Sequence, residues 1–305
     1  MKLKTPKDLA IKARMMGKKS ISYSQFGTYN TCPHSWKLQR IDKHKRFEPN
    51  MFLTFGTAFH ETLQLYLHTM YTETAVAADK LDLPRILQEN MSKDYAERIA
   101  ELDGNHFSCK EEMAEFYDDG VAILDWFKKN RGAYFSKKYT ELVGVEMPIF
   151  TDVEYNDNIM FTGFMDLVMK EHDTIKIIDI KTSFMGWKAK KKKNEGNQLR
   201  LYKKYFSKQY GVDVKNIEVE YFIVKRKLYE NCDFPQKRVQ IYKPSSGTPS
   251  INKVDKLLKE FVENAFNEDG SYNVDGNYPA YKNDCTYCPF KKEHDLCPPK
   301  MRTFK

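Results

Sequence analysis

The apolar positions of this chain keep a helical period in the first 130 residues and then change to a strand period. Between Ser20 and Ile41, Tyr23, Phe26, Tyr29, Trp36, Leu38 and Ile41 recur at near-helical spacing, with Ser24 placed as a cap. Leu53 to Tyr71 carries a second stripe of Phe55, Phe59, Leu63, Tyr66 and Leu67, and Pro84 to Leu102 predicts a third helix. Glu111 to Lys129 predicts a fourth, with Phe116, Ile123, Leu124 and Phe127 inward. Glu141 to Phe150, Ile159 to Met169 and Ile175 to Thr182 are then rich in Val, Ile, Phe and Met and are separated by short polar turns, which predicts an antiparallel meander. A helix over Asn197 to Tyr210, strands over Ile217 to Val224 and Arg238 to Tyr242, and a last helix over Ile251 to Phe266 follow. Met1 to Lys19 reads as a basic leader, and the chain beyond Asp275 as loop. This order predicts an α/β fold with a mixed sheet between helical layers.

Length does not split this picture. At 305 residues, with no repeat of solenoid period, one domain is the simplest expectation. Within it, 20–75 hold the N-terminal helices, 80–135 a helical insertion, 140–245 the sheet core and 250–305 the final helix and tail. The net charge of +8, set in a chain with 30% charged residues of both signs, suggests a basic face, and nucleic acid is the commonest partner of such a face. No apolar run approaches the ~18 to 20 residues of a membrane span, and the first residues lack a signal-peptide core, so an intracellular protein is expected.

The strand over Ile175 to Thr182 carries the first candidate chemistry. Residues two apart on a strand share a face, so Asp179 and Lys181 project together while Ile178 and Ile180 face the other layer. A charged pair inside an apolar strand is costly unless it is paired or binds a metal. Asp166 ends Gly163-Phe164-Met165-Asp166 on the preceding strand, where the meander sets it beside Asp179. Two carboxylates that close repel unless a cation neutralises them, and oxygen ligands at this density suit Mg²⁺ or Mn²⁺. Gln198 and Tyr202 are four apart on a helix and share a face. Glu146 reads as a charge at a strand edge, with a supporting carboxylate as its alternative role.

Gly56 to His60, Gly163 to Asp166, Asp179-Ile180-Lys181 and Gln198 to Tyr202, in that order, resemble the RecB-type motifs of the PD-(D/E)XK nuclease superfamily. The resemblance spans roughly residues 20 to 300 and implies a restriction-endonuclease-like core. It implies that His60, Asp166, Asp179 and the Ile180 carbonyl hold the catalytic metal. Lys181 would orient the attacking water and stabilise developing charge, and Gln198 and Tyr202 would position Lys181 or the scissile phosphate. The activity implied is metal-dependent hydrolysis of DNA, from an end or at branched structures, in replication, recombination or repair. A binding module on the same fold is the rival, and it has no need of mutually repelling acids.

Two further groups stand outside that core. Cys32 and Cys285-x2-Cys288-x8-Cys297 form a soft-metal constellation. It resembles the split iron–sulfur cluster of AddB-type and CRISPR-associated relatives, one cysteine before the core and three after it. A structural Zn²⁺ is the alternative, with His34 or His294 replacing a thiolate. Cys109 and Cys232 have no partners at metal spacing. Lys188, Lys190, Lys191, Lys192 and Lys193 lie between the catalytic strand and the helix of Gln198, where a basic loop would track phosphates.

Overall fold

The computed structural model describes residues 6–44, 48–135, 140–189, 191, 195–229 and 233–305. Its beginning departs from the expected single helix over Ser20 to Ile41. Lys19–Ser22 form strand β1, Tyr23–Thr31 helix α2 and Pro33–Arg40 helix α3. Pro33 explains the break: it pushes Cys32 into extended backbone (φ −153°, ψ 103°) and then starts α3, where its missing N–H costs nothing. Ser22, not Ser24, is the cap, accepting from the Gln25 N–H at 3.4 Å, and Ser24 bonds its hydroxyl at 2.8 Å. The basic leader contains helix α1 (Pro6–Met15), which buries only Leu9 and Ala13 and so shows little apolar stripe.

Helices α4 (Met51–Thr72), α5 (Ala75–Asp79), α6 (Leu83–Glu101) and α7 (Lys110–Asn130) form one layer. Asn50 caps α4 through the Leu53 N–H at 3.2 Å, and Asp82 caps α6 through that of Arg85 at 3.2 Å. The predicted stripes meet: Phe55, Phe59 and Leu63 of α4 pack with Phe116, Ile123 and Phe127 of α7, and the cluster closes on Ile178, Ile180 and Phe222 of the sheet. Full burial of each large apolar side chain stabilises by about 1.5–3 kcal/mol. The segment over 80–135 therefore supplies α6 and α7 of this layer, packed on α4 and the sheet.

The meander forms as expected. Strands β2 (Thr140–Asp152), β3 (Ile159–Glu171) and β4 (Thr174–Ser183) pair antiparallel in turn. Helix α8 (Asn197–Tyr210) crosses over to β5 (Ile217–Lys225), parallel to β4, and β6 (Val239–Tyr242) closes the edge antiparallel. On the second face α8, α9 (Thr248–Ala265) and α2 enclose Phe161, Tyr205, Trp36 and Phe261. A mixed sheet between two helical layers is the restriction-endonuclease-like architecture.

One topological detail creates the site. β2 pairs with β3 along residues 160–171. β1 pairs with Ile159–Thr162 and β4 with Leu167–Glu171, so these two strands share the other edge of β3, end to end. Among the described residues, 163–166 therefore have no strand on that edge. The layers also change phase there, since Phe161 and Met165 enter one core while Leu167 and Met169 enter the other. Beyond Asp275 the tail is not wholly loop: β7 (Ala280–Tyr281) pairs parallel with β8 (Arg302–Thr303) beside α3.

Candidate active site

Asp166 stands where β4 leaves β3. The divergence frees the Ile180 N–H, a buried donor that must find a partner, and it donates to Asp166 Oδ2 at 2.7 Å. From the helical layer, His60 brings Nδ1 to 3.7 Å from the same oxygen. Asp179, 2% exposed, lies one residue before Ile180, with Lys181 Nζ 2.6 Å from its Oδ2. That buried oxygen is thus ion-paired with the Lys181 ammonium inside the fold. His60, Asp166, Asp179 and Lys181, far apart in sequence, thus meet at one gap in the sheet.

Their electrostatics are those of acids held without enough counter-charge. Burial pushes the Asp179 carboxyl up to about 6 against the pull of Lys181, and the charge of Asp166 adds to the rise. Burial also raises Asp166, partly offset by Lys181 and the Ile180 N–H. The His60 imidazole is pushed down to about 4 by burial and the Lys181 charge, with Asp179 opposing. It is neutral at physiological pH and free to donate a lone pair. Burial pulls the Lys181 ammonium down, but Asp179 and Asp166 together outweigh that and hold it above its ordinary value.

Gln198 and Tyr202 sit together as their spacing requires, Gln198 Nε2 donating to Tyr202 Oη at 3.1 Å. Gly163 makes room for that ring, since a Cβ there would lie 3.3 Å from Tyr202 Cε1. Burial, then the charge of Asp179, drives the Tyr202 hydroxyl far above its ordinary value, so it remains protonated. Ile180 turns its side chain into the helical-layer core.

Glu146 is more than a strand-edge charge. Its neighbours on β2 place it opposite Asp166, between the pairs Val145↔Leu167 and Met147↔Met165. Gln64, one turn beyond His60 on α4, donates to Glu146 Oε1 at 2.6 Å and approaches the Asp166 carbonyl at 3.4 Å. Burial of the carboxyl, then the charge of Asp166, pushes Glu146 up to about 7. Its φ of +49° is left-handed backbone that a glutamate seldom adopts. Strand alternation carries no sign of that conformation, and this is why Glu146 reads as a bland charge in the sequence.

The remaining groups divide. Lys188 and Lys191 are exposed, with Lys191 Nζ 4.8 Å from the centre of the Trp187 ring. Lys190, Lys192, Lys193 and Cys232 lie outside the described residues. Cys32, Cys285, Cys288 and Cys297 line one small cavity between α3 and the tail, floored by Phe290. Their thiols point to separate acceptors: Cys32 to the Pro279 carbonyl at 3.9 Å, Cys285 to that of Tyr281 at 3.3 Å, Cys288 to Ser35 Oγ at 3.8 Å. Among the described residues, no three His, Cys, Asp or Glu side chains are drawn into a ready metal cage, here or at Asp166. His34 Nε2 is engaged by the Leu296 carbonyl at 2.9 Å, and Cys109 is exposed at the start of α7.

The chain is similar to the Gene 69 protein of Mycobacterium phage D29, 23% identical over 212 residues that cover 68% of this chain and 75% of that protein. Among solved structures it is similar to a candidate exonuclease of Eubacterium rectale, with a TM-score of 0.43 and 8% identity over 84% of this chain and 87% of the other. The family model of the PD-(D/E)XK nuclease superfamily matches residues 20–297, a span that takes in the gap at Asp166, both helical layers and the cysteine cavity, and the chain belongs to that superfamily.

Proposed function

We propose that this chain is a metal-dependent deoxyribonuclease, acting from a DNA end, with its active site at His60, Asp166, Asp179 and Lys181. The observation that carries it is the Asp166–Asp179 pair at the strand gap, with Asp179 buried and ion-paired with Lys181 and a neutral imidazole against Asp166. That donor set fits Mg²⁺ or Mn²⁺, held by His60, Asp166, Asp179 and the Ile180 carbonyl. A divalent cation bound there lowers the pKa of a water and neutralises phosphate charge. Lys181, kept protonated by Asp179 and Asp166, orients the attacking water and stabilises the charge that develops on the phosphate. The Ile180 N–H fixes Asp166, and Gln198 holds the Tyr202 hydroxyl toward the acids. The lysines at 188 and 190–193 would track the phosphate backbone without reading sequence.

The cysteine cavity supports a second part of this reading. Four thiols with no carboxylate in the lining are the donor chemistry of an iron–sulfur cluster, and of zinc as the alternative. Cys32, Cys285, Cys288 and Cys297 would hold it and tie α3 to the tail. The phage relative suits a virus-encoded enzyme of DNA replication or recombination. A structure-specific endonuclease would use the same site. The test is cleavage with Mg²⁺ or Mn²⁺ on end-labelled linear DNA and on circular DNA: mononucleotides from the linear form alone support an exonuclease, nicking of the circle an endonuclease. No cleavage of either would reject the nuclease assignment.

A further inference from the structure

A cavity opens beside the acids, and its walls are aromatic. Phe52, Gly56 and His60 lie four apart along one face of α4, so the helix carries a phenyl ring at the rim, a gap without a side chain, and the imidazole at the floor. Lys181 and Phe184, before and after the end of β4, form the facing wall. Phe52 is 53% exposed and Phe184 50%. Single exposed apolar residues need no explanation, but two rings at the mouth of one charged cavity do.

The two rings are organised by a common cation. Arg226, only 6% exposed, stacks its guanidinium 3.9 Å from the centre of the Phe116 ring, with the Phe52 and Phe184 rings at 5.5 and 5.3 Å. Glu115 and Asp119 hold one end of it, at 3.1 and 2.5 Å from Nη1. Arg226 also lines the cavity, so its charge borders the space between the two rings.

We propose that this cavity is a stacking subsite for an unpaired nucleobase of the strand being cut. The substrate class is then single-stranded DNA, or a duplex end whose last bases have frayed. The inference rests on the nuclease reading of the adjoining acids. Phe52 is two helical turns, about 12 Å, from His60, so a base lying there belongs to a nucleotide close to the scissile phosphate. Its π-face meets Phe52 and Phe184, and the Arg226 guanidinium against both rings adds positive charge beside the stack. A base inside a duplex has both faces covered by its neighbours and cannot enter. His60 and Lys181 at the inner end, next to the acids, suit a phosphodiester and not an apolar protein segment.

The test is binding of a single-stranded oligonucleotide carrying 2-aminopurine to the full chain without divalent cation. The wild type should quench the fluorescence on binding. Phe52→Ala and Phe184→Ala should each weaken binding about tenfold, while Phe184→Trp retains it. Both rings are half-exposed, so the alanine variants should still unfold cooperatively, and binding is compared below their unfolding transitions. An abasic strand of equal length should bind the wild type and both variants alike. Unchanged affinity in the alanine variants, or an equal loss on the abasic strand, would overturn the stacking subsite. So would a wild type that does not bind the strand at all. Failure of the nuclease reading shows separately, as a wild type that stacks the base yet cleaves no DNA with Mg²⁺ or Mn²⁺.

Discussion

Glu146 shows how much of this site one residue can hide. Asp166, Asp179 and Lys181 were legible because each interrupts an apolar strand, and charge in such a place demands a reason. Glu146 interrupts nothing, and its left-handed backbone and Gln64 contact exist only in three dimensions. The strain makes its role separable from stability. Glu146→Gly removes a left-handed penalty of about 1–2 kcal/mol and adds a chain-entropy cost of about 0.5–1 kcal/mol, so it should leave stability equal or up to ~1.5 kcal/mol higher. Cleavage should still fall, because Gln64 loses the carboxylate that fixes it beside Asp166. Chemical denaturation with parallel kcat measurement decides it, and a variant as active as the wild type would make Glu146 ornamental.

The same scale sets the pH behaviour. Asp179 is raised in the folded protein from 3.8 to about 6, so without metal its contribution to stability is full below about pH 4 and is lost as pH rises through 6. His60, lowered from 6.5 to about 4, behaves oppositely: its contribution is present above 6.5 and lost as pH falls through 4. A divalent cation needs the carboxylate form and relieves what the acid has lost. The gain in Tm on adding Mn²⁺ should therefore be larger at pH 8 than at pH 5. An equal gain at both would place the ion elsewhere.

Among the elements, α4 holds the most together. One face carries Phe52, Gly56, His60 and Gln64 toward the site, and the opposite side packs on α6 and α7. Its period was readable from the stripe, with the ends placed to within two residues, as were β2 to β4 and α8. The Ser20–Ile41 segment was not, because β1 is only four residues long and owes its state to the edge of β3. Tertiary pairing of that kind leaves no periodic mark. Gly120 of α7 marks a close crossing in this layer: a Cβ there would lie 2.5 Å from Leu87 Cδ2 and 3.0 Å from Phe55 Cε2. Gly120→Ala sets overpacking of about 1–3 kcal/mol against a helix-propensity gain of about 1 kcal/mol. A net loss of ~1 kcal/mol, read as a Tm lower by roughly 2–4 °C, is expected. A higher Tm would show that the crossing has slack.

At the scale of the whole molecule, the chain closes on itself through its ends. Cys32 precedes the sheet and Cys285, Cys288 and Cys297 follow it, yet all four border one cavity. Closing a loop of about 250 residues is costly in entropy, and a shared metal would contribute that closure to folding. Cys→Ala at any of the four should lose the metal and increase protease sensitivity of the tail, while Cys109→Ala does neither. Iron with visible absorption in protein purified without oxygen supports the cluster, and one zinc without iron would replace it. The spacing made the constellation legible, but the cavity and its Phe290 floor depend on packing between distant segments.

The central claim is that the strand gap at Asp166 and Asp179 performs metal-dependent cleavage. Asp179→Asn keeps the size of the side chain and removes its charge, so it tests that claim most directly. With Mn²⁺ on linear DNA, the wild type should cleave and the variant should lose at least ~10³-fold in kcat, with fold and DNA affinity retained. A variant that cleaves at the wild-type rate would contradict the account.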